Sequence, residues 1–302
     1  MVVIDFIFIR HAQRATITKA VLQKGAQPSI TQEGRLKSIA WGKSINKSAF
    51  FFRGTYDAVE CFASSFARNQ ETAKAILTGL TSNNCIIDFA RHPGDFSDSL
   101  LRLRRDNLHW DEKKVAIIAQ QLVKKGSRYH SLIEERAKKI KKEYLLKKVL
   151  VHLEDLMNRD NSHLYQALLP FLAEKRAKEC AAKLSVTLYD LLMDKKEVAL
   201  YLERPLTFII QKINEYSLQD KKHILIIGVT HDFNLAGLAK GIIKNASLQK
   251  LGGIPGYLSH LHLRITSDGM KVKHLTVYYN DKKKQMNSLI KERILKGTSF
   301  KP

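Results

Sequence analysis

Two short segments near opposite ends of the chain concentrate ionisable side chains where an apolar run stops. Arg10-His11-Ala12-Gln13-Arg14 follows the run from Val2 to Ile9, and Thr230-His231-Asp232 follows the run from His223 to Val229. A third segment, Ser64-Ser65-Phe66-Ala67-Arg68, follows Tyr56 to Ala63. Together they offer arginines, histidines and an aspartate, a set suited to chemistry on a phosphate. An arginine side chain is a planar fork that pairs two oxygens at once and keeps its charge. Arg10, Arg14 and Arg68 supply three such forks. Phosphoryl transfer is mostly positioning and electrostatic stabilisation. A neutral imidazole can attack phosphorus and divide a hard hydrolysis into two steps. A carboxyl group at the rim can protonate the leaving alkoxide, help that is typically worth about 10²–10⁴ in rate. His11, flanked by arginines, is the candidate nucleophile. Asp232 is the candidate acid.

The elements that must position these groups are legible around them. The three runs are short and rich in β-branched or aromatic residues, as strands buried on both faces are. In parallel α/β sheets ligands bind in the crevice beyond the carboxyl ends of the strands, so the three segments are expected to meet there. Arg68 falls near the start of a helix, where serines cap free N–H groups and anions are attracted. Residues 29–41 read as another helix, with Thr31 as its N-cap and Leu36, Ile39 and Ala40 on one face. Cys85 to Phe89 reads as a further short strand. From about Arg91 to Glu203 strand signals vanish, and lysine-rich stretches carry apolar residues three and four apart, the pattern of helices. Pro170 and Pro205 punctuate that region. The strand before His231 is followed by a helix from about Phe233 to Ile243. Leu258 to Ile265 and Val272 to Tyr279 then read as an antiparallel pair at a sheet edge, turned by Ser267-Asp268-Gly269. The expected fold is α/β: a mostly parallel sheet flanked by helices, with a helical cap insertion. Residues 1–90 and 205–282 form the core, 91–204 the cap, and 283–302 a basic C-terminal tail.

These motifs resemble the histidine phosphatase superfamily, and within it the acid-phosphatase and phytase-like branch. Arg10-His11-Ala12-Gln13-Arg14-Ala15-Thr16 largely matches that family's R-H-G-x-R-x-P segment. Ser65-Phe66-Ala67-Arg68 matches its arginine in a strand-to-helix turn, and His231-Asp232 its late His-Asp pair. Thr31-Gln32-Glu33-Gly34 and Pro255-Gly256-Tyr257 are similar to further family elements. The resemblance covers residues 1–90 and 205–280. It implies a phosphoglycerate-mutase-like core and a phosphohistidine mechanism. His11 would be the nucleophile, Asp232 the proton donor, and Arg10, Arg14, Arg68 and His231 the phosphate ligands. No metal and no cofactor are implied. The His-Asp pair sets the chain apart from the mutase-like branch, whose acid is a mid-chain glutamate. Two positions depart from the pattern: Ala12 stands for glycine and Thr16 for proline. A glycine there permits positive φ, in which alanine is strained. An alternative reading follows, in which the chain is a weak or inactive phosphate-binding or scaffolding module.

Composition narrows the partners. Fifty-one Lys and Arg against twenty-nine Asp and Glu give a formal charge of +22 over 302 residues. Such an excess attracts polyanions. The expected substrate is therefore a multiply phosphorylated small molecule, such as an inositol phosphate, or a phosphoinositide headgroup. An anionic membrane surface is a further candidate partner. Aromatics are not interleaved with the basic runs and no nucleic-acid motif is present, so nucleic acid is not expected. The lysines from Lys138 to Lys148 read as a solvated helix face or as a rim that guides a polyanion. His260 and His262, two apart on a strand, share a face read as solvated or crevice-lining; His92 reads as a loop residue. Cys61, Cys85 and Cys180 are too scattered for a disulfide frame or zinc site and suit reduced, buried positions in a cytoplasmic protein. No signal peptide precedes Asp5, and the apolar runs are too short to cross a bilayer. Export by a route without an N-terminal signal stays open.

Overall fold

The computed structural model describes residues 1–15, 29–45, 56–64, 66–80, 195–269 and 271–297. Its centre is strand β1 (Val2–Arg10), which pairs on both sides. Strand β3 (His223–Thr230) lies parallel to it, from Val3 opposite His223 to Arg10 opposite Thr230. Strand β2 (Ala58–Ala63) lies parallel to β3. On the other side come β4 (His260–Asp268), β5 (Lys271–Tyr279) and β6 (Lys282–Lys284), each antiparallel to its neighbour. The order β2-β3-β1-β4-β5-β6 is a six-stranded mixed sheet.

The mixed character corrects the expectation of a mostly parallel sheet. Its cause lies before β4. The chain has already returned to the carboxyl end of β1 there: Leu258 N donates to Arg10 O (3.2 Å) and Arg10 N to Ser259 O (2.9 Å). A strand that starts at that end has to run back antiparallel. The expected β4–β5 hairpin is present, and Gly269 takes the turn at φ +53°.

Alternation along β1 divides the core. Ile7 and Ile9 face Val59, Cys61, Leu225 and Ile227, under helices α1 (Gln32–Ile45) and α2 (Ala67–Gly79). Those two helices meet backbone to backbone. A Cβ on Gly42 would fall 2.2 Å from Ile76 O, and one on Gly79 2.1 Å from Ile39 O. Ile4, Phe6 and Phe8 face the other way, toward α3 (Lys195–Ser217), α4 (Asp232–Ile242) and α6 (Ser288–Gly297). A short helix α5 (Leu248–Leu251), capped by Ser247, lies on the return path to β4. Burying an Ile or Phe side chain contributes about 1.5–3 kcal/mol, so this double-sided strand anchors the fold.

Helix α3 runs unbroken through Pro205, where the sequence suggested punctuation. Tyr201 and Leu202, before that proline, pack into the same core as Leu206 and Ile209 after it, or against Gly237 and Gly241 of α4. The Cys85–Phe89 strand, His92, Lys138–Lys148 and residues 91–194 of the expected cap lie outside the described residues. Among the described residues, no helix is long and apolar enough to cross a membrane.

Asp5 is the one carboxylate within the apolar run of β1, and it is fully buried. Its register partner Arg264 donates Nε to Oδ1 (2.8 Å) and Nη2 to Oδ2 (3.1 Å). His262 Nε2 donates to Oδ1 at 2.7 Å, and Tyr56 Oη donates to Oδ2 at 3.0 Å. Burial alone would raise the Asp5 carboxyl, but the bonds from His262 and Arg264 overcome it and hold Asp5 below its usual range. His262 is itself pushed down by burial, so a neutral imidazole donates to an ionised Asp5. The histidine face of β4 is therefore buried, not solvated: His260 and His262 are 4% and 0% exposed. His260 lies against the Trp41 ring and 3.1 Å from Asp281.

Candidate active site

The three polar segments do converge beyond the carboxyl ends of β1, β2 and β3. His11 follows β1 directly, and its N–H donates to Thr230 O at 2.9 Å. Arg68 is the second residue of α2. His231 is the N-cap residue of α4, and Asp232 is its first residue.

His11 is 4% exposed. Its Nδ1 lies 2.8 Å from Ala12 O. A carbonyl can only accept, so Nδ1 carries the proton and Nε2 keeps its lone pair. That lone pair faces Arg68, whose Nε donates to it at 3.3 Å. The imidazole is held neutral. Burial drives its pKa down, the charges of Arg68 and Arg10 add to this, and the bond to Ala12 and the charge of Asp232 oppose it; the result is about 3.

Arg68 lies between two rings. Its Nη2 is 3.5 Å from His231 Nδ1. The rings of His11 and His231 meet edge to face at 5.3 Å. His231 is 5% exposed, and its pKa is also driven well down, first by burial and then by the Arg68 charge. The Arg14 charge acts on both Arg68 and His231, which places the third fork in the same crevice. Burial and Arg14 lower Arg68 to about 10, which leaves it charged at neutral pH. Arg10 completes the set. Its Nη2 is 3.2 Å from Asp232 Oδ2, and its Nη1 donates to Pro255 O at 2.5 Å.

The supports are as informative as the ligands. Thr31 caps α1 by accepting from Gly34 N at 2.9 Å, as its place in the sequence suggested. Thr31 N also donates to Gln13 O at 2.8 Å. A Cβ on Gly34 would fall 2.6 Å from that same oxygen, so glycine lets the helix start touch the His11 loop. The N-cap of α2 is Phe66, with no side-chain cap bond; Ser64 instead bonds to Asn69. Ala12 is fully buried, and its N–H donates to Thr72 Oγ1 at 3.0 Å. Positive φ among described non-glycine residues is confined to Asn245, Leu258, Asn280 and Asp281. Ala12 therefore sits in ordinary backbone.

Four neighbours escaped sequence reasoning. Asn69 Nδ2 lies 3.3 Å from His231 Nε2, and Thr72 joins α2 to Ala12. Phe66 stacks on Arg68 (4.6 Å) and meets His231 edge on (5.1 Å). Tyr257 covers Arg10 at 4.5 Å and lies 5.8 Å from the His11 ring. Thr72 lies four residues after Arg68 and three after Asn69, helical spacings that offered a signal for Thr72. For the aromatics only position beside a motif did.

The fold agrees with solved structures. The phytase of Citrobacter braakii superposes with a TM-score of 0.52 at 16% identity, over 98% of this chain and 99% of that one. The Hafnia alvei phytase in complex with tartrate gives 0.50 at 15%, over 91% and 83%. The chain has the histidine phosphatase fold. No protein-family model matches the sequence, and no curated protein matches it. The likeness is one of fold, at 15–16% identity.

Proposed function

We propose that the chain is a phosphomonoesterase that works through a phosphohistidine on His11. The observation that carries this reading is the orientation of His11: Nδ1 is tied to Ala12 O while the bare Nε2 is turned toward Arg68. An imidazole so held is a nucleophile in its reactive form. Arg10, Arg14, Arg68 and His231 bind the phosphate oxygens. Nε2 attacks phosphorus and the P–O ester bond breaks. The leaving alkoxide takes the proton of the Asp232 carboxyl. The Asp232 carboxylate then accepts a proton from water, which attacks phosphorus as the P–N bond breaks. In the free site Asp232 pairs with Arg10. A bound dianion competes for Arg10 and frees the Asp232 carboxyl to face the leaving oxygen.

A multiply phosphorylated substrate, such as an inositol phosphate or phosphoinositide headgroup, suits the +22 charge. The phytase fold supports the same reading. In this reading the chemistry belongs to residues 1–90 and 205–282 of a cytoplasmic protein, and α3 from Lys195 and α6, whose Ile294 is buried in the core, belong with them. The non-catalytic alternative was motivated by strain at Ala12, and Ala12 is not among the described residues with positive φ, which favours the enzyme reading.

Rapid quench with a labelled multi-phosphate mixture tests the proposal. Wild type should give an acid-labile, alkali-stable phosphoprotein, and His11→Ala should give none. Turnover of singly and multiply phosphorylated substrates at equal, salt-insensitive rates would overturn the substrate class. No label and no released phosphate from folded wild type between about pH 4 and 8 would overturn the enzyme itself.

A further inference from the structure

His11 and His231 present opposite faces to the same guanidinium. His11 turns Nε2 to Arg68 Nε, and His231 turns Nδ1 to Arg68 Nη2. The first contact is a donor meeting a lone pair. The nature of the second depends on where the His231 proton sits, and Asn69 decides that.

Asn69 is fully buried on α2. Its Nδ2 reaches three acceptors: Ser64 Oγ, His231 Nε2 at 3.3 Å and Val229 O at 3.5 Å. Its Oδ1 has no partner among the described residues. The reverse amide orientation would place Oδ1 against Val229 O and leave two N–H donors buried in the spot that now strands one acceptor. Each stranded polar group costs about 1–3 kcal/mol, so the orientation that strands fewer is favoured. With Nδ2 as donor, His231 Nε2 must accept.

We infer that Asn69 is a positioning residue that fixes His231 with its proton on Nδ1, so that His231 Nδ1–H and Arg68 Nη2–H point together at one oxygen of the bound phosphate. An arginine N–H can only donate, so with the proton on His231 Nδ1 this 3.5 Å contact brings two donors together. An anionic oxygen that bridges them satisfies both. The low pKa of His231 fits this role, because a neutral ring with a fixed N–H serves as donor without adding a cation beside three arginines. Asn69 thus does for His231 what Ala12 O does for His11: each partner holds the proton on Nδ1, and ring orientation makes one histidine a lone pair and the other a donor.

The inference rests on the proposed phosphate site, and its test separates the two. The readout is a long-range proton–nitrogen correlation spectrum of the full chain with labelled histidines, with His231 assigned through a His231→Gln variant. Wild-type His231 should show the Nδ1–H tautomer near neutral pH. Asn69→Ala should shift it to Nε2–H or a mixture and weaken inorganic phosphate binding about tenfold. Asn69→Asp should draw the proton onto Nε2 and give phosphate binding a new pH dependence, because a carboxylate favours the imidazolium. An Nε2–H tautomer in wild type would overturn the inference even if neither variant folds. So would an unchanged tautomer in folded Asn69→Ala. A tautomer that follows Asn69 in a protein that forms no phosphohistidine would leave the inference standing and remove the proposed chemistry.

Discussion

Arg10 and Asp232 are joined across the crevice: Nη2 stands 3.2 Å from Oδ2, with the two side chains 15% and 24% exposed. The residue that precedes the candidate nucleophile therefore holds the candidate acid. Both ends of this pair are set by backbone. Arg10 is the last residue of β1, in register with Thr230, and Asp232 opens α4 two residues later. The tyrosine ring of residue 257 closes over the guanidinium from outside.

The pair predicts how Asp232→Asn behaves. An amide keeps a hydrogen bond to Arg10 but cannot supply a proton. With alkyl phosphate esters the rate should fall by about 10²–10⁴. With p-nitrophenyl phosphate, whose leaving group needs no proton, phosphorylation of His11 should fall far less. Single-turnover rates of His11 phosphorylation by both substrates check this. An equal loss on both would assign Asp232 to binding instead of proton transfer.

Ala12→Gly separates stability from chemistry. The residue is buried, in ordinary backbone, and fixed through Thr72. The added freedom of glycine in the unfolded chain should cost about 0.4–1 kcal/mol of stability. Turnover should stay within about threefold of wild type. A large gain in turnover would mean that alanine does misplace His11. Denaturant melts and a phosphate-release assay read the two effects.

Much of this site could be read from residue order alone, because strand ends and helix starts are local events. The β-branched runs fixed where Arg10, Arg68 and His231 would emerge. What could not be read was pairing across long sequence separations. Nothing near Asp5 announces Arg264 or His262, which reach it only through the antiparallel register of β4. The same register made the sheet mixed. Ser64 offered itself as a helix cap by type, yet its hydroxyl bonds to Asn69, an outcome decided by tertiary contact. Pro205 read as a break, yet burial of Leu202, Leu206 and Ile209 in the core keeps α3 continuous.

The Asp5 cluster predicts a structural defect far from the crevice. Arg264→Met removes the bidentate partner and leaves a buried carboxylate with only His262 and Tyr56. Breaking one side of a buried ion pair typically costs about 3–5 kcal/mol. Arg264 is a quarter exposed, so the lower end is expected. The double variant Asp5→Leu, Arg264→Met should recover much of the loss, since neither charge is then buried. Urea unfolding of the single and double variants checks this. A single variant as stable as wild type would mean that Arg264 adds little to the cluster.

Acid should loosen this protein, and the sign follows from the histidines. His11 is held at about 3 against an ordinary value of 6.5. His231 and His262 are also lowered, in each case by burial first. Below 6.5 the unfolded chain binds protons that the native state refuses. The stability carried by the neutral histidines is therefore complete above that pH and is lost as pH falls toward the folded values. Asp5 adds to the trend at lower pH, since its carboxyl too is held down in the fold. The melting temperature should thus fall steadily from about pH 7 to pH 4. His11 stays neutral across this range, so its own titration should not limit the rate until unfolding overtakes it. Inorganic phosphate should offset part of the acid loss by binding the native crevice. Melts at several pH values, with and without phosphate, test this. A melting temperature that stays level across the range would mean that these histidines are not buried in neutral form.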